Sequence, residues 1–431
     1  MQHRFRRMAL VPIAGLALII GACAPQLMLT PNICVDAEKN PWEDVPTTLR
    51  TPEVNVIFAT DRKAENGDDQ PVRYGSKRSE ALTFGVCPVA IGDDWSTLVD
   101  ESTRPTRRRA IPLEVGAAKV RGAFPATPWK VDDAQADKTA ALAELQQQFD
   151  GAQESFRELV AQRLDESPHK DVYVFVHGFN YSFEDAARVM AGLWHFLGRR
   201  GVPVIYSWPA GSGLSSRGYN YDRESGEFTL YHLKDFLRAL AGTPNLGKVH
   251  VIAHSRGADV VVSALRELNV YYDAKNPQDE KPAATALRIG YLVLAAPDID
   301  WEVAQQRLEA ERINRACERI TIYASPDDLA MAIVRYLFDS TIRLGTLGLL
   351  KLPRQARGNL ARLVDVDVID ARVSDGLVGH DYFYNNPAVS SDLILLLRDR
   401  RQPGAEHGRP LIKQPNGYWE LHDGYPKQVS D

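Results

Sequence analysis

The stretch from Val249 to Ser263, VHVIAHSRGADVVVS, restricts the fold of this chain more than any other. Its apolar start predicts a strand, Ser255 stands between the small residues Ala253 and Gly257, and a helix-compatible segment follows. This spacing departs by one methyl group from the G-x-S-x-G turn, which holds a serine in a strained conformation at the carboxyl end of a strand. Ser255 is therefore a candidate nucleophile, and a serine that only caps the helix is the alternative.

Basic and apolar residues at the amino terminus predict export. Three arginines precede the apolar run Met8 to Ile20, and small residues then lead to Cys23. This order is typical of a secretory signal peptide, and the apolar run is too short for a membrane span. The ending IGAC resembles the lipobox of bacterial lipoproteins, so residues 1–23 are predicted to be a signal peptide and lipobox with the lipid on Cys23.

The residue after Cys23 is Ala24 rather than Asp, which in Gram-negative lipoproteins indicates the outer membrane. We therefore expect a lipid anchor in that membrane, with the protein facing the periplasm. An ordinary cleaved signal peptide is the alternative. An exported compartment also permits one disulfide among Cys34, Cys87 and Cys317, and the first two are the favoured pair.

Composition is that of a globular protein. The 431 residues are 44% hydrophobic and 25% charged, and a net charge of −5 gives no reason to expect nucleic acid as a partner. Residues 24–52 are predicted to be a polar tether, residues 53–400 the α/β domain, and residues 401–431 a polar C-terminal tail. Within the domain, Asp93 to Asp132 is predicted to be irregular.

Strand and helix patterns alternate through the domain. The predicted strands are Val54–Ala59, Ala81–Val89, Asp171–Val176, Pro203–Ser207, Val249–Ala253, Ile289–Leu294, Arg319–Tyr323 and Val364–Ile369. The predicted helices include Lys138–Leu164, Phe183–Leu197 and Glu227–Ala241. Apolar strands that alternate with amphipathic helices indicate an α/β fold, with a mostly parallel central sheet and helices on both faces. The last strand, VDVDVI, alternates as an edge strand does.

The dipeptide His177-Gly178 follows a strand that reads as buried. An HG turn in this place supplies a backbone N–H that stabilises negative charge on a carbonyl oxygen. By position this donor is the N–H of Phe179, and the second donor is the N–H of Arg256, directly after the serine. His177 and Gly178 are also candidates to line the pocket.

The loop after the strand Pro203–Ser207 is expected beside the site, because loops at the carboxyl ends of parallel strands surround it. Trp208, Tyr219, Tyr221 and Asp222 are therefore candidate pocket residues. A purely structural loop is the alternative.

A serine nucleophile needs a histidine as base and a carboxylate that orients the histidine. Asp328 follows the strand Arg319–Tyr323 and is the predicted acid, with its neighbour Asp327 as the alternative. Asp298 follows the preceding predicted strand, Ile289–Leu294, which is one strand too early for the acid. His380 is the predicted base because it follows the last strand within the domain, and a surface histidine is the alternative reading.

The order Ser255, Asp328, His380 is the order of the α/β-hydrolase triad. Several motifs add a closer resemblance: ATDR, VFVHGFN, SWPAGSG with GYNYDRES, AHSRG, YASPDD and GHDYF. In these motifs the chain, from about residue 54 to 397, resembles the uncharacterised bacterial α/β-hydrolase family placed in the esterase/lipase superfamily. The resemblance implies an α/β-hydrolase fold and the same three catalytic residues. Arg256 stands where that family usually has a small or apolar residue, which implies an altered substrate choice.

Together these features predict a serine hydrolase, a carboxylesterase or lipase, that cleaves a small-molecule or lipid ester through an acyl-enzyme. The sequence contains no metal-ligand motif and no dinucleotide fingerprint, so no metal or cofactor is expected. Acyl transfer to an alcohol or amine, peptide cleavage, and a lipid-anchored binding module without catalysis are the alternatives. The oligomeric state stays open.

An insertion, Leu329 to Arg362, lies between the predicted acid and the last strand and interleaves leucines with basic residues. Its length favours either helices packed on the sheet or a functional lid. The lid hypothesis places Thr346 to Pro353 above the serine, where this segment favours acyl chains over charged substrates.

Overall fold

The computed structural model describes residues 25–35, 37, 40–65, 71–130, 138–326, 328, 344–346, 363–374, 379–415 and 417–427. Cys23 and the predicted signal peptide lie outside these residues, so lipid attachment and outer-membrane location stay predictions. Asp327 and the predicted lid also lie outside them, apart from Thr346. Within the described ranges, no helix is both long and apolar enough to cross a membrane.

The described strands form one mixed sheet. In chain order they are β1 Glu53–Ala64, β2 Tyr74–Ile91, β3 Leu113–Val115, β4 Lys119–Ala123, β5 Val172–Val176, β6 Val202–Ser207, β7 Val249–His254, β8 Ile289–Ala295, β9 Arg319–Ala324, β10 Val366–Arg372, β11 Ile412–Lys413 and β12 Trp419–His422. Their spatial order is β11-β12-β10-β9-β8-β7-β5-β6-β1-β2-β3, and β4 also pairs with β2. The run from β12 to β1 is parallel, and the strands at both margins are antiparallel.

Helices cover both faces of this sheet. In chain order they are α1 Trp95–Ser102, α2 Lys138–Glu166, α3 Phe183–Phe196, α4 Ser216–Ala241, α5 Arg256–Lys275, α6 Pro282–Leu287, α7 Trp301–Gln305, α8 Tyr382–Asn385 and α9 Pro387–Leu397. Helices α2, α4, α5 and α6 contribute to the core on one face, and α3, α8 and α9 to the core on the other. This is the layered α/β arrangement that the alternating pattern predicts.

The central strand β5 shows why the middle of the sheet is parallel and apolar. All of its residues are buried, and consecutive side chains point to opposite faces. Val174 therefore packs in one core and Phe175 in the other. A strand buried on both faces needs an uninterrupted apolar run, which is what the sequence shows.

Residues 25–52 do not form the predicted tether, because their described part packs on the domain. Leu27 and Trp42 are buried in the same core as α3. The Leu27 N–H donates to the Ile111 carbonyl at 2.8 Å, and the Trp42 indole N–H donates to the His195 carbonyl at 2.8 Å. The apolar residues of this segment are spread without a period, so composition alone concealed their burial.

The predicted polar tail after residue 400 is also wrong, because β12 lies in the sheet as the parallel neighbour of β10. Consequently β10 has a partner on each side and is not the predicted edge strand. The carboxyl-terminal part also closes on the amino-terminal segment, where the Asn32 side chain donates to the Tyr425 carbonyl at 2.7 Å.

The segment Asp93 to Asp132 is more regular than predicted, since it contains α1, β3 and β4. Asp94 caps α1 by accepting from the Thr97 N–H at 2.8 Å. The favoured disulfide is absent, because Cys34 and Cys87 are both free buried thiols. The Cys34 segment packs against α9, whereas Cys87 lies on β2 with its Sγ directed to the Gly116 carbonyl.

Candidate active site

The turn between β7 and α5 has the strained geometry that the sequence predicts. Ser255 has φ 52° and ψ −122°, a region that costs a non-glycine residue free energy. Gly257 permits the turn, because a Cβ there would lie 2.3 Å from the His177 carbonyl oxygen. Ser255 itself is only 4% exposed, so its hydroxyl does not project into open solvent.

The structure brings Ser255, His380 and Asp328 together in one hydrogen-bonded chain. His380 Nδ1 lies 2.7 Å from Asp328 Oδ2, and His380 Nε2 lies 2.8 Å from Ser255 Oγ. An ionised carboxylate only accepts hydrogen bonds, so the imidazole proton is on Nδ1. Nε2 therefore carries the lone pair and accepts from the serine hydroxyl, the arrangement in which a histidine can remove the serine proton.

The charge around His380 favours its protonated form. Burial alone lowers the pKa of this imidazole, but the hydrogen bond and negative charge of Asp328 outweigh burial. Asp298 and Asp381 act in the same direction, so the net pKa of His380 is raised above the ordinary value of 6.5. An imidazolium formed by proton transfer from Ser255 is thereby stabilised.

His254, the last residue of β7, supports the loop that carries His380 and was not singled out by the sequence. Its Nε2 lies 3.0 Å from the His380 carbonyl oxygen, and the two rings have centroids 4.8 Å apart. Burial and the neighbouring His380 hold the pKa of His254 well below its ordinary value. The neutral His254 therefore donates to a carbonyl and fixes the backbone at the predicted base.

The turn after β5 lies directly against the serine. A Cβ on Gly178 would come within 2.7 Å of Ser255 Cβ, so only glycine allows this approach. Two residues later, the Asn180 N–H donates to Asp222 Oδ2 at 3.0 Å. The other predicted oxyanion donor, the Arg256 N–H, belongs to the first residue of α5, where no intrahelical acceptor exists for it.

Arg62 lies beneath the turn after β5 and is the functional candidate that the sequence left unassigned. It stands in the ATDR motif on β1 and is 1% exposed. Its Nη2 lies 3.1 Å from His177 Nε2. The motif marked the position, but the acceptors of a buried arginine come from distant segments and are invisible in sequence.

The predicted pocket residues after β6 separate into different roles. Tyr219, Tyr221 and Asp222 lie within α4 rather than in a loop, because Ser215 caps the helix earlier than predicted. Trp208 is fully buried and its indole N–H donates to the His177 carbonyl at 2.7 Å. The Tyr221 ring lies under a guanidinium, that of Arg78, at 4.8 Å.

Tyr219 contacts the side chain of Phe179, the residue that carries the predicted oxyanion donor. Its ring packs edge-on against Phe179 with centroids 5.4 Å apart, and its hydroxyl donates to Asp298 Oδ2 at 2.9 Å. The Asp298 N–H donates to the Ser255 carbonyl at 3.1 Å, which ties this carboxylate to the elbow. Tyr219 therefore links the turn after β5 to the loop after β8.

The Arg256 side chain is held by its own helix. Its guanidinium pairs with Asp259 at 2.9 Å, and the same carboxylate also binds Arg307. The implied influence of Arg256 on substrate choice stays a prediction. Across the described residues, no three His, Cys, Asp or Glu side chains form a group that could hold a metal ion.

Comparison with known proteins finds a sequence family that matches this chain. The sequence model of the family described as alpha/beta hydrolase of unknown function (DUF900) matches residues 152–400, more than half of the chain. No curated protein matches. A lipase-esterase related protein from Clostridium acetobutylicum is similar in structure, with 13% identity, coverage of 51% of this chain and 81% of that one, and a TM-score of 0.22. ESTFA in an Fe-lacking apo form gives 14% identity, coverage of 37% and 58%, and a TM-score of 0.19.

Proposed function

Because the chain belongs to the α/β-hydrolase family of unknown function, we propose that it is a serine hydrolase that cleaves carboxylic esters through an acyl-enzyme. Membership of this family confirms the α/β-hydrolase fold class that the sequence predicts. The observation that carries the proposal is the hydrogen-bonded chain from Asp328 through His380 to Ser255, with distances of 2.7 and 2.8 Å. The structural likenesses have low TM-scores and carry no argument for it.

In the proposed first step, Ser255 Oγ attacks the carbonyl carbon of the ester. His380 Nε2 takes the serine proton as the bond to carbon forms, and Asp328 stabilises the resulting imidazolium. His380 then gives this proton to the leaving alcohol when the tetrahedral intermediate collapses. The strained backbone of Ser255 supports this role, since such strain is retained where a fixed nucleophile is needed.

The carbonyl oxygen becomes negatively charged in this step and needs donors that are already in place. We assign this role to the N–H groups of Phe179 and Arg256. The contact of Gly178 with Ser255 supports the first donor, and the position of Arg256 at the start of α5 supports the second. The helix dipole of α5 also favours negative charge at this end.

In the second half-reaction, water attacks the acyl-enzyme while His380 acts as base again. The water proton passes to Nε2 and then to Ser255 Oγ as the acid product leaves, so the enzyme returns to its starting protonation state. With an alcohol in place of water the same steps give acyl transfer. Product analysis with and without added alcohol separates the two outcomes.

Labelling with a fluorophosphonate probe tests the proposal. We expect the wild-type protein to be labelled on Ser255 and to hydrolyse short p-nitrophenyl esters, whereas Ser255→Ala loses both. Ser390→Ala is a matched control, because Ser390 is a buried serine on α9 whose hydroxyl bonds to the Asn386 carbonyl at 2.9 Å. A folded wild-type protein that takes no label, or turnover retained in Ser255→Ala, overturns the proposal.

A further inference from the structure

Arg62 is a buried cation whose donors are all used within the protein. An arginine has five N–H groups and no acceptor. Its acceptors here are Ser207 Oγ at 2.9 Å, the Gly75 carbonyl at 3.0 Å, the Ala210 carbonyl at 2.6 Å, the Tyr181 carbonyl at 2.8 Å and His177 Nε2 at 3.1 Å. Five donors meet five acceptors, so Arg62 has no donor left for a substrate.

This saturation fixes the tautomer of His177. Because Arg62 can only donate, His177 Nε2 must present its lone pair and the ring proton must be on Nδ1. His177 Nδ1 lies 2.9 Å from the Gly178 carbonyl oxygen, so this N–H donates to that carbonyl. Burial and the positive charge of Arg62 hold the pKa of His177 well below its ordinary value, so the ring stays neutral.

The plane of the His177 ring is fixed by two aromatic neighbours. Trp208 stacks on one side with centroids 5.2 Å apart and an interplanar angle of 12°. Tyr181 is also stacked with the ring, at 5.6 Å and 9°. The Trp208 indole N–H also donates to the His177 carbonyl, so neither the ring nor its backbone is free to turn.

The hydrogen bond between His177 Nδ1 and the Gly178 carbonyl fixes the direction of the peptide that joins Gly178 to Phe179. In a trans peptide the C=O and the N–H point in opposite directions. The Gly178 carbonyl points to the His177 ring, so the N–H of Phe179 points away from it. The Asn180 N–H is held separately by Asp222 at 3.0 Å, which fixes the peptide on the other side of Phe179.

We infer that Arg62 is a positioning residue that sets the direction of the Phe179 N–H through His177, so that this oxyanion donor is in place before substrate binds. The inference rests on the proposed function, since it concerns the same site. Without Arg62, the ring proton can move to Nε2 and bond Ser207 Oγ, which lies 3.3 Å away. Nδ1 then presents a lone pair to the Gly178 carbonyl, and repulsion favours a flipped peptide with its N–H turned away from the serine.

The closing experiment compares two buried arginines. Arg199 is the matched control, because it is also buried and its Nη1 donates to the Leu49 and Thr51 carbonyls, both at 2.7 Å. We expect Arg62→Met, which keeps a long side chain but removes every donor, to lower kcat for p-nitrophenyl esters by about 100-fold, the size of a lost oxyanion donor, with KM unchanged. Affinity for an alkyl boronic acid, which forms a tetrahedral adduct on serine, falls in parallel. Arg199→Met leaves kcat and boronate affinity unchanged, and thermal unfolding of both variants checks that each is folded.

A second measurement does not depend on catalysis or on the folding of Arg62→Met. Nitrogen-15 NMR of labelled histidine in the wild-type protein, assigned with His177→Asn, should show neutral His177 with its proton on Nδ1. The Nε2–H tautomer, or a folded Arg62→Met with wild-type kcat in an active enzyme, overturns the inference and leaves the proposed function standing. A wild-type protein without turnover or probe labelling overturns the proposed function and the inference with it, even if the tautomer is as expected.

Discussion

Two histidines, the half-buried His380 and the buried His250, each lie beside a carboxylate at opposite ends of the parallel strands, and their second nitrogens have different partners. At the carboxyl end, His380 bonds Asp328 at 2.7 Å and its other nitrogen accepts from the Ser255 hydroxyl. At the amino end, His250 Nε2 lies 3.4 Å from Asp171 Oδ2, and its Nδ1 accepts from a backbone N–H at 3.2 Å. A histidine and an aspartate together therefore do not make a catalytic pair; a hydroxyl group that donates to the other nitrogen is also needed.

The surroundings of the two rings also differ, and they shift the pKa values of His250 and His380 in opposite directions. His250 is stacked between Tyr173 and Tyr291, and burial lowers its pKa despite the carboxylate. Asp171 is also shared, because it accepts from the Lys248 N–H and from Arg400. At His380 the bond and charge of Asp328 outweigh burial and raise the pKa. The same residue types thus give a structural pair at one end and, in the proposed mechanism, a proton acceptor at the other.

The largest expected effect separates the two histidines. We expect His380→Gln to lower kcat/KM for p-nitrophenyl esters by about 10⁴-fold or more, with little change in thermal stability. His250→Gln should leave kcat/KM unchanged and lower the free energy of unfolding by about 1–3 kcal/mol, since it disturbs a buried polar group. Steady-state kinetics and denaturant unfolding of both variants measure this. Equal losses of activity in His380→Gln and His250→Gln would contradict the different roles assigned to the two histidines.

Asp328 and Asp171 should differ as the two histidines do. The loss of activity expected in Asp328→Asn is somewhat smaller than the loss in His380→Gln. Asp328→Asn is expected to lower kcat by up to about 10⁴-fold, because an amide does not hold the Nδ1–H tautomer. Asp327→Asn is the control beside it and should retain most of the activity. Asp171→Asn should affect unfolding and not turnover. A greater loss of activity in Asp327→Asn than in Asp328→Asn would show that Asp327 is the acid.

The smallest expected effect is a shift in the pH dependence of kcat/KM. His380 acts as base only when neutral, and its raised pKa places the rising limb of kcat/KM above pH 6.5. Asp328→Asn removes the main cause that raises this pKa, so the limb of the residual activity should move to lower pH. His250→Gln should leave the limb in place. A limb that stays fixed in Asp328→Asn would show that another group controls it.

Much of the site was predictable because its signals are local. The elbow is encoded within a few residues by Ala253, Ser255 and Gly257, which a tight strand-to-helix crossing requires. Asp328 and His380 follow apolar strands in the order that the topology demands. Their catalytic roles stay predictions until the kinetics are measured, although the structure places the three side chains in contact.

What the sequence did not reveal depends on contacts between distant segments. The role inferred for Arg62 depends on five acceptors from three separate parts of the chain. The burial of Trp42 and the pairing of β12 with β10 are equally non-local. The early start of α4 was hidden by Gly218 and Asn220, residues that disfavour helices, and the cap at Ser215 overrides them.

The pairing of β12 with β10 has a consequence for the synthesis of the protein. The segment that carries His380 follows β10 in the sequence, and β10 gains β12 as its second neighbour only after Trp419 to His422 has been made. The Asn32 side chain meets its acceptor in the same late stretch. A polypeptide that stops before this point leaves β10 with an unpaired edge. We therefore expect prematurely terminated chains to be better targets for proteases than finished ones.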